Sequence, residues 1–116
     1  MKKVLVVEDD KDIAKALQLR LRVNGYEVHL AHDAAMAGVI AKKCDPDVAL
    51  LDISMPGGDG FVVAERLKNI CGDVLLIFLT ANSRADLRRR AMDIGAKGYF
   101  EKPFASDELM EALATL

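Results

Sequence analysis

The sequence predicts an α/β domain in which a parallel β-sheet lies between two layers of helices. Residues 4–7, 48–51 and 74–79 are short, continuous apolar runs bounded by turn residues, a pattern typical of strands buried on both faces. Segments with helical spacing of apolar residues separate these runs. Strands that alternate with helices indicate right-handed crossovers and a parallel sheet covered on both sides.

The first half of the chain predicts three strands and two helices. The strand at residues 4–7 ends in acidic residues, of which Asp10 can cap a helix that closes at Asn24-Gly25. Residues 26–31 alternate weakly between apolar and polar and predict a second strand. Asp33 can cap a helix that runs to about Lys43, and a turn then leads into the strand that ends at Asp52.

The second half predicts two further strands and three helices. Asp59 can cap the third helix, whose buried side is predicted to carry Phe61, Val62, Ala64, Leu67 and Ile70. The fourth strand ends in Thr80, and Gly95 ends the helix that follows it. A short strand at residues 97–100 precedes a last helix, which Ser106 opens and which runs to the end of the chain.

The apolar character of the strands predicts their order. The three most apolar strands, the first, third and fourth, belong in the centre, and the weaker second and fifth belong at the edges. The order 2-1-3-4-5 satisfies this requirement and gives a three-layer, doubly wound, flavodoxin-like sheet of five strands. Its topological switch point lies between the first and third strands, where ligands bind in such folds.

Composition excludes several classes of protein. A chain of 116 residues that is 52% hydrophobic can build one core without metals or disulfides, and its net charge of −2 gives no general attraction to nucleic acid. No apolar run is long enough to span a membrane. Cys44 and Cys71 are predicted to be free thiols of a reducing cytoplasm, and His29 and His32 lack metal-ligand spacing.

The fourth helix carries four arginines, at positions 84, 88, 89 and 90. We interpret them as a solvated face, because no aromatic residue is interleaved with them and Leu87, Ala91 and Ile94 form the buried stripe. Direct binding of nucleic acid by this domain is therefore not expected.

Polar residues follow the central strands where those strands end. Glu8 and Asp9 follow the first strand, and Asp52 ends the third, so three carboxylates should meet at the switch point. Such a cluster needs a cation, and an all-oxygen donor set favours Mg²⁺. With Thr80 and Lys102 at the same edge, the arrangement predicts phosphoryl transfer to Asp52, which forms an aspartyl phosphate.

On these residues the chain resembles the receiver domains of two-component response regulators, including the chemotaxis-type regulators. The resemblance covers essentially the whole chain. Its motifs are Val-Val-Glu-Asp-Asp at 6–10, Leu-Leu-Asp-Ile-Ser-Met-Pro-Gly-Gly-Asp-Gly at 50–60, Leu-Thr-Ala at 79–81 and Gly-Ala-Lys-Gly-Tyr-Phe-Glu-Lys-Pro-Phe at 95–104.

The resemblance implies a role for each matching residue. Asp52 is the expected phosphoacceptor, with Thr80 and Lys102 contacting phosphoryl oxygens. Asp9 is expected to bind Mg²⁺ directly, Glu8 through water, and Ser54 through its backbone carbonyl. Tyr99 matches the switch aromatic, which is expected to rotate from an exposed to a buried position when Thr80 moves toward the phosphate. The Lys102-Pro103 bond is expected to be cis.

The resemblance also implies a function without ordinary enzymatic turnover. A cytoplasmic switch would accept a phosphoryl group from a histidine kinase or phosphotransfer protein. It would then change the surface of the fourth helix, fifth strand and fifth helix, which meets an output domain or partner. The chain departs from many dimerising receivers in carrying Lys97-Gly98, where those proteins have acidic residues.

Residues 1–116 are expected to form one receiver domain. The chain stops about three turns into its last helix. Two interpretations follow, a receiver cut from a longer protein and a short stand-alone regulator.

Two other functions fit the predicted fold. A flavin-binding electron carrier would need a phosphate loop after the first strand, where this chain has Glu8-Asp9-Asp10. A phosphatase of the haloacid dehalogenase type would need a second Asp two residues after the nucleophile, where this chain has Ser54. A yellow colour on purification would favour the first, and rapid turnover of a small phosphate ester would favour the second.

Overall fold

Strands and helices alternate strictly along the chain. A computed structural model describes residues 2–55, 60–81, 84–103 and 106–116. The elements are β1 (Lys3–Val7), α1 (Lys11–Val23), β2 (Glu27–Ala31), α2 (Ala34–Cys44), β3 (Val48–Asp52), α3 (Gly60–Ile70), β4 (Leu75–Thr80), α4 (Ala85–Ile94), β5 (Gly98–Glu101) and α5 (Ser106–Ala114).

All five strands form one parallel sheet in the order β2-β1-β3-β4-β5. Val4 is the register partner of Val28 in β2 and of Val48 in β3, so β1 lies between the strands that follow it in the chain. This arrangement confirms the predicted fold class and strand order. It also places the switch point between β1 and β3.

The sheet separates two hydrophobic clusters, because successive side chains of a strand point to opposite faces. Leu5 and Val7 belong to the cluster under α2, α3 and α4, whereas Val4 and Val6 belong to the cluster under α1 and α5. The side chains of all four are fully buried. Burial on both faces explains why the central strands are continuous apolar runs without alternation.

The predicted helix boundaries rest on side-chain caps and left-handed residues. Asp10 Oδ1 accepts hydrogen bonds from the backbone of Asp12 and Ile13 at 3.0 and 3.1 Å, and Asp33 caps α2 in the same way. Gly95 ends α4 with φ +94°, a conformation that favours glycine. These boundary predictions are confirmed.

Three details of the helices differ from the sequence prediction. Val62 is 49% exposed and Val63 takes its place in the core at 2%, because α3 buries the stripe that runs from Gly60 through Val63 and Ala64 to Leu67. Arg84 lies at the N-cap of α4 and not inside the helix. The last helix ends at Ala114 and does not reach the end of the chain. The predicted cap Asp59 lies outside the described residues.

A close approach of α3 to β3 shapes the edge of the sheet where the acidic residues lie. A Cβ atom at Gly60 would lie 2.8 Å from the Ile53 Cα and 3.0 Å from the Asp52 carbonyl oxygen. Any side chain at this position would therefore press on the backbone that carries Asp52.

Among the described residues, no helix has the length and apolar character needed to cross a membrane.

Candidate functional site

Three carboxylates meet at the carboxyl ends of β1 and β3. One oxygen each from Glu8, Asp9 and Asp52 lies within 4.8 Å of the others. Glu8 is 0% and Asp52 is 2% exposed, whereas Asp9 faces solvent. The structure thus brings the predicted acidic residues together. Within the described parts of the chain, they form the one group of three or more His, Cys, Asp or Glu side chains close enough to hold a metal ion.

Lys102 supplies a positive charge to the two buried acids. Its Nζ donates to Glu8 Oε1 at 2.5 Å and to Asp52 Oδ2 at 3.1 Å, and the lysine side chain is only 17% exposed. The Lys102-Pro103 peptide bond is cis, as predicted. The two contacts of its ammonium group show that Lys102 reaches from the end of β5 across the edge of the sheet to the β1 and β3 ends.

The pKa values of the two buried carboxyl groups, Glu8 and Asp52, are shifted in opposite directions. Burial, with a hydrogen bond to Asp52 and the charge of Asp52, raises the pKa of Glu8 to about 8 against the opposing effect of Lys102. Burial would also raise the pKa of Asp52, but hydrogen bonds from Glu8, the Ser54 amide and Lys102 outweigh it and lower that pKa. At neutral pH a proton therefore remains on Glu8 and Asp52 is the ionised carboxylate.

Lys102 itself stays charged. Burial would lower its pKa, but its hydrogen bonds with Glu8 and Asp52 raise it. An ammonium group fixed against an ionised carboxylate can neutralise negative charge that is added to that carboxylate.

Ser54 links the phosphoacceptor candidate to the end of β4. Its backbone N–H donates to Asp52 Oδ1 at 2.8 Å. Its hydroxyl oxygen lies 3.3 Å from the Thr80 hydroxyl and accepts a hydrogen bond from the Ala81 N–H at 3.2 Å. The contact of the Ser54 side chain with Thr80 was not predicted from the sequence. The signal for the side-chain role was a hydroxyl residue two positions after an aspartate that ends a strand.

Tyr99 lies in a buried position and is 7% exposed. Its ring belongs to the cluster under α4, its strand pairs Tyr99 with Phe78, and the Arg88 guanidinium lies 5.5 Å from the ring centroid. The hydroxyl is buried without a hydrogen-bond partner among the described residues. Burial and the charge of Glu101 raise its pKa, although the Thr80 hydroxyl opposes the shift. The exposed orientation from which the predicted switch starts is thus not the one that the structure shows, because packing and Arg88 hold the ring inward.

The four arginines in and next to α4 are exposed, as predicted, and three of them also contact other side chains. Arg90 lies 4.3 Å from the centroid of the Phe61 ring, and Arg88 covers Tyr99. Arg84 donates to both carboxylate oxygens of Asp86, at 3.0 and 2.5 Å. Sequence reasoning missed the two ring contacts because Phe61 on α3 and Tyr99 on β5 lie outside α4 in the chain.

The two histidines and two cysteines, which were considered as metal ligands or reactive thiols, lie outside the acidic cluster. His32 Nδ1 lies 3.0 Å from the Glu8 carbonyl oxygen, and His29 Nε2 pairs with Glu27 at 2.8 Å. Cys44 and Cys71 are free thiols, as predicted. Burial raises the pKa of both thiols, which makes them weak nucleophiles.

The acidic cluster fits a small, hard divalent cation. All of its candidate ligand atoms are carboxylate oxygens, and Asp9 offers one to solvent. Mg²⁺ prefers such oxygen ligands and keeps several waters, so it does not need a closed protein cage. A cation at this position would also favour release of the Glu8 proton.

Comparison with known proteins assigns the family. The chain matches the family model of the response regulator receiver domain over residues 4–114. The response regulator MprA of Mycobacterium avium (strain 104) is 37% identical over 114 residues, which cover 98% of this chain and 50% of MprA. MprA of Mycobacterium tuberculosis (strain H37Rv) is also 37% identical, with the same coverage. The chain therefore spans about half the length of the curated relatives that it matches.

Solved structures show the same fold. The receiver domain of HemR from Leptospira biflexa is 31% identical, with a TM-score of 0.91, over 99% of this chain and 93% of that one. A response regulator protein from Burkholderia pseudomallei, whose structure holds a phosphorylated aspartic acid, a calcium ion and citrate, is 25% identical. Its TM-score is 0.90 over 97% of this chain and 66% of that one. With its sheet order, its acidic edge and the family match, the chain belongs to the response regulator receiver domains, which are regulatory domains of two-component signalling.

Proposed function

We propose that Asp52 accepts a phosphoryl group from the phosphohistidine of a sensor kinase or a phosphotransfer protein. The observation that carries this proposal is the buried carboxylate of Asp52, held 3.1 Å from the Lys102 ammonium group, beside Glu8 and Asp9. In this proposal residues 1–116 act as one cytoplasmic receiver domain that is switched by phosphorylation.

The transfer is a displacement at phosphorus. A carboxylate oxygen of Asp52 forms the new O–P bond while the P–N bond of the phosphohistidine breaks, and its electron pair stays on the imidazole nitrogen. The lowered pKa of Asp52 keeps this nucleophile ionised at neutral pH. Lys102 neutralises charge on one phosphoryl oxygen and the Thr80 hydroxyl contacts another.

Glu8, Asp9, Asp52 and the backbone carbonyl of Ser54 would hold Mg²⁺. Asp9 is the exposed carboxylate and binds directly, whereas Glu8, which is fully buried and bonded to Lys102, acts through water. When bound, Mg²⁺ offsets the negative charge of the phosphoryl oxygens. The phosphorylated aspartic acid and calcium ion of the Burkholderia pseudomallei protein support an aspartyl phosphate and a divalent cation in this chain.

The output of the switch is a changed surface on α4, β5 and α5. Thr80 and Tyr99 connect the phosphoryl site to this surface, which would control an output domain or a partner protein. The domain promotes its own phosphorylation and slow dephosphorylation, and it turns over no other substrate.

Mass spectrometry of the intact protein tests the proposal. Incubation with acetyl phosphate and Mg²⁺ should add one phosphoryl group to the wild type, and excess chelator should prevent the addition. Asp52→Asn should gain no phosphoryl group. Asp73→Asn is the matched control, because Asp73 is an exposed turn residue at the opposite end of the sheet, and it should be labelled like the wild type. Full labelling of Asp52→Asn would refute the assignment.

A further inference from the structure

The Ser54 side chain joins the end of β3 to the end of β4. Its hydroxyl lies 3.3 Å from Thr80 Oγ1 and accepts from the Ala81 N–H at 3.2 Å, while its own N–H donates to Asp52. The Thr80 hydroxyl and the Ala81 N–H thus both meet an oxygen atom that sits two residues from the phosphoacceptor. These contacts are made entirely by groups of the chain itself.

A phosphoryl oxygen on Asp52 would form hydrogen bonds with the same two groups, the Thr80 hydroxyl and the Ala81 N–H. In the proposed function, on which this inference rests, Thr80 contacts the phosphoryl group. A phosphoryl oxygen accepts hydrogen bonds from hydroxyl and backbone N–H donors, as the Ser54 oxygen accepts one from the Ala81 N–H. The Ser54 hydroxyl and a phosphoryl oxygen are therefore alternative partners for the first residues after β4.

The position of Tyr99 agrees with a Thr80 already drawn toward the site. Thr80 is fully buried and Tyr99 is 7% exposed. Thr80 lies two residues after Phe78, the register partner of Tyr99, so both side chains project from the same face of neighbouring strands. Arg88 covers the ring from α4 at 5.5 Å. The Ser54–Thr80 contact and the buried orientation of the Tyr99 ring therefore occur together.

We infer that the Ser54 hydroxyl acts as a stand-in for a phosphoryl oxygen, and that it positions Thr80 so that Tyr99 lies inward before Asp52 is phosphorylated. Ser54 is a positioning residue, since it acts on Tyr99 through Thr80. Phosphorylation then exchanges one oxygen partner of Thr80 for another and moves Tyr99 little. The coupling of phosphate to the α4 and β5 surface is correspondingly weaker with Ser54 than with a residue that has no hydroxyl.

Tyrosine fluorescence gives a direct readout. The chain has no Trp and two Tyr, so Tyr26→Phe leaves Tyr99 as the only tyrosine. In this background, collisional quenching by acrylamide measures the accessibility of the Tyr99 ring without any phosphodonor. The variants are Ser54→Ala, Ser54→Thr and Thr80→Val, with Thr115→Ala as the control that removes a hydroxyl at the far end of the chain.

We expect the Tyr99 ring to become more exposed only in the variants that lack the Ser54 or the Thr80 hydroxyl. Ser54→Ala should raise the exposed population of Tyr99 by roughly 2- to 12-fold, the factor that corresponds to one net hydrogen bond. Ser54→Thr should keep the wild-type accessibility, because it retains the hydroxyl. Thr80→Val should match Ser54→Ala, and the double variant should add nothing further. Beryllofluoride with Mg²⁺ should return the ring of Ser54→Ala to the buried position.

Two results would overturn the inference. One is a Tyr99 accessibility in Ser54→Ala equal to that of the wild type, whatever the result for Thr80→Val. The other is a Ser54→Thr variant that behaves like Ser54→Ala, because the effect would then follow side-chain shape and not the hydroxyl. Neither comparison needs a phosphodonor. Failure of Asp52 labelling in the wild type would therefore count against the proposed function alone.

Discussion

Replacing Gly60 with alanine tests how tightly α3 is fitted to the backbone of the site. The added Cβ would lie 2.8 Å from the Ile53 Cα and 3.0 Å from the Asp52 carbonyl oxygen. Both contacts are with backbone atoms, which cannot rotate away as the end of a flexible side chain can. The start of α3 must therefore move away from β3, and Asp52 must move with its carbonyl.

The size of the effect follows from two opposing contributions. Overpacking of this kind costs about 1–3 kcal/mol, and contacts this short favour the upper half of that range. Alanine recovers about 1 kcal/mol over glycine through helix propensity. A net loss of roughly 1–2 kcal/mol remains. With an unfolding entropy of about 2.1 cal/mol/K per residue, this loss lowers the Tm of a 116-residue domain by roughly 4–8 °C.

Gly38→Ala provides the matched control. Gly38 lies inside α2, and the nearest atom to its added Cβ would be Arg66 Cδ at 3.8 Å, an ordinary contact. This variant should gain up to about 1 kcal/mol and melt a few degrees higher. Thermal unfolding by circular dichroism measures both variants, and phosphoryl uptake by Gly60→Ala should slow. A Gly60→Ala variant as stable as Gly38→Ala would refute the reasoning about close packing.

Three further predictions concern charge at the site and on α4. The pKa of Glu8 rises from an ordinary 4.5 to about 8, so the folded chain keeps a proton that the unfolded chain releases. Stability should therefore fall as pH rises from about 4.5 to about 8. Glu8→Gln should flatten this slope in urea titrations at a series of pH values, and equal slopes would contradict the assignment. Asp52 acts at a lower pH with the opposite sign, because the stability from its lowered pKa is lost as pH falls below 3.8. Lys102→Gln leaves two buried acids without their ammonium partner and should lose up to about 3 kcal/mol. Millimolar Mg²⁺ should restore part of that loss in thermal unfolding, and a loss unaffected by Mg²⁺ would argue against a shared site. Arg88→Gln removes a contact worth about 0.5–1 kcal/mol and should increase acrylamide quenching of Tyr99, whereas Arg89→Gln on the same helix should not.

The fold and the meeting of the acidic residues were predictable because both depend on backbone rules. Continuous apolar runs identify strands buried on both faces, and parallel strands bring their carboxyl ends to one edge. Glu8, Asp52 and Lys102 therefore meet although they lie far apart in the sequence.

The details that were not predictable depend on side-chain placement. The Ser54–Thr80 contact requires the position of the turn after β3 relative to the end of β4, and the ring contacts of Arg88 and Arg90 require the rotation of α4 over the sheet. The proton on Glu8 depends on complete burial, which the motif alone does not reveal. Val62 was predicted to be buried in place of Val63 because adjacent valines fit a helical stripe almost equally well until the orientation of α3 is known.

The separation of Lys102 from its partners along the chain has a consequence for synthesis on the ribosome. Its ammonium group lies 94 residues after Glu8 and 50 residues after Asp52. Synthesis proceeds from the N-terminus, so the β1 and β3 carboxylates are made before their lysine. Until β5 joins the sheet, mutual repulsion of these carboxylates opposes closure of the nascent edge. We therefore expect docking of β5 to complete the domain, and free divalent cations to help the nascent chain most in the interval before Lys102 is made.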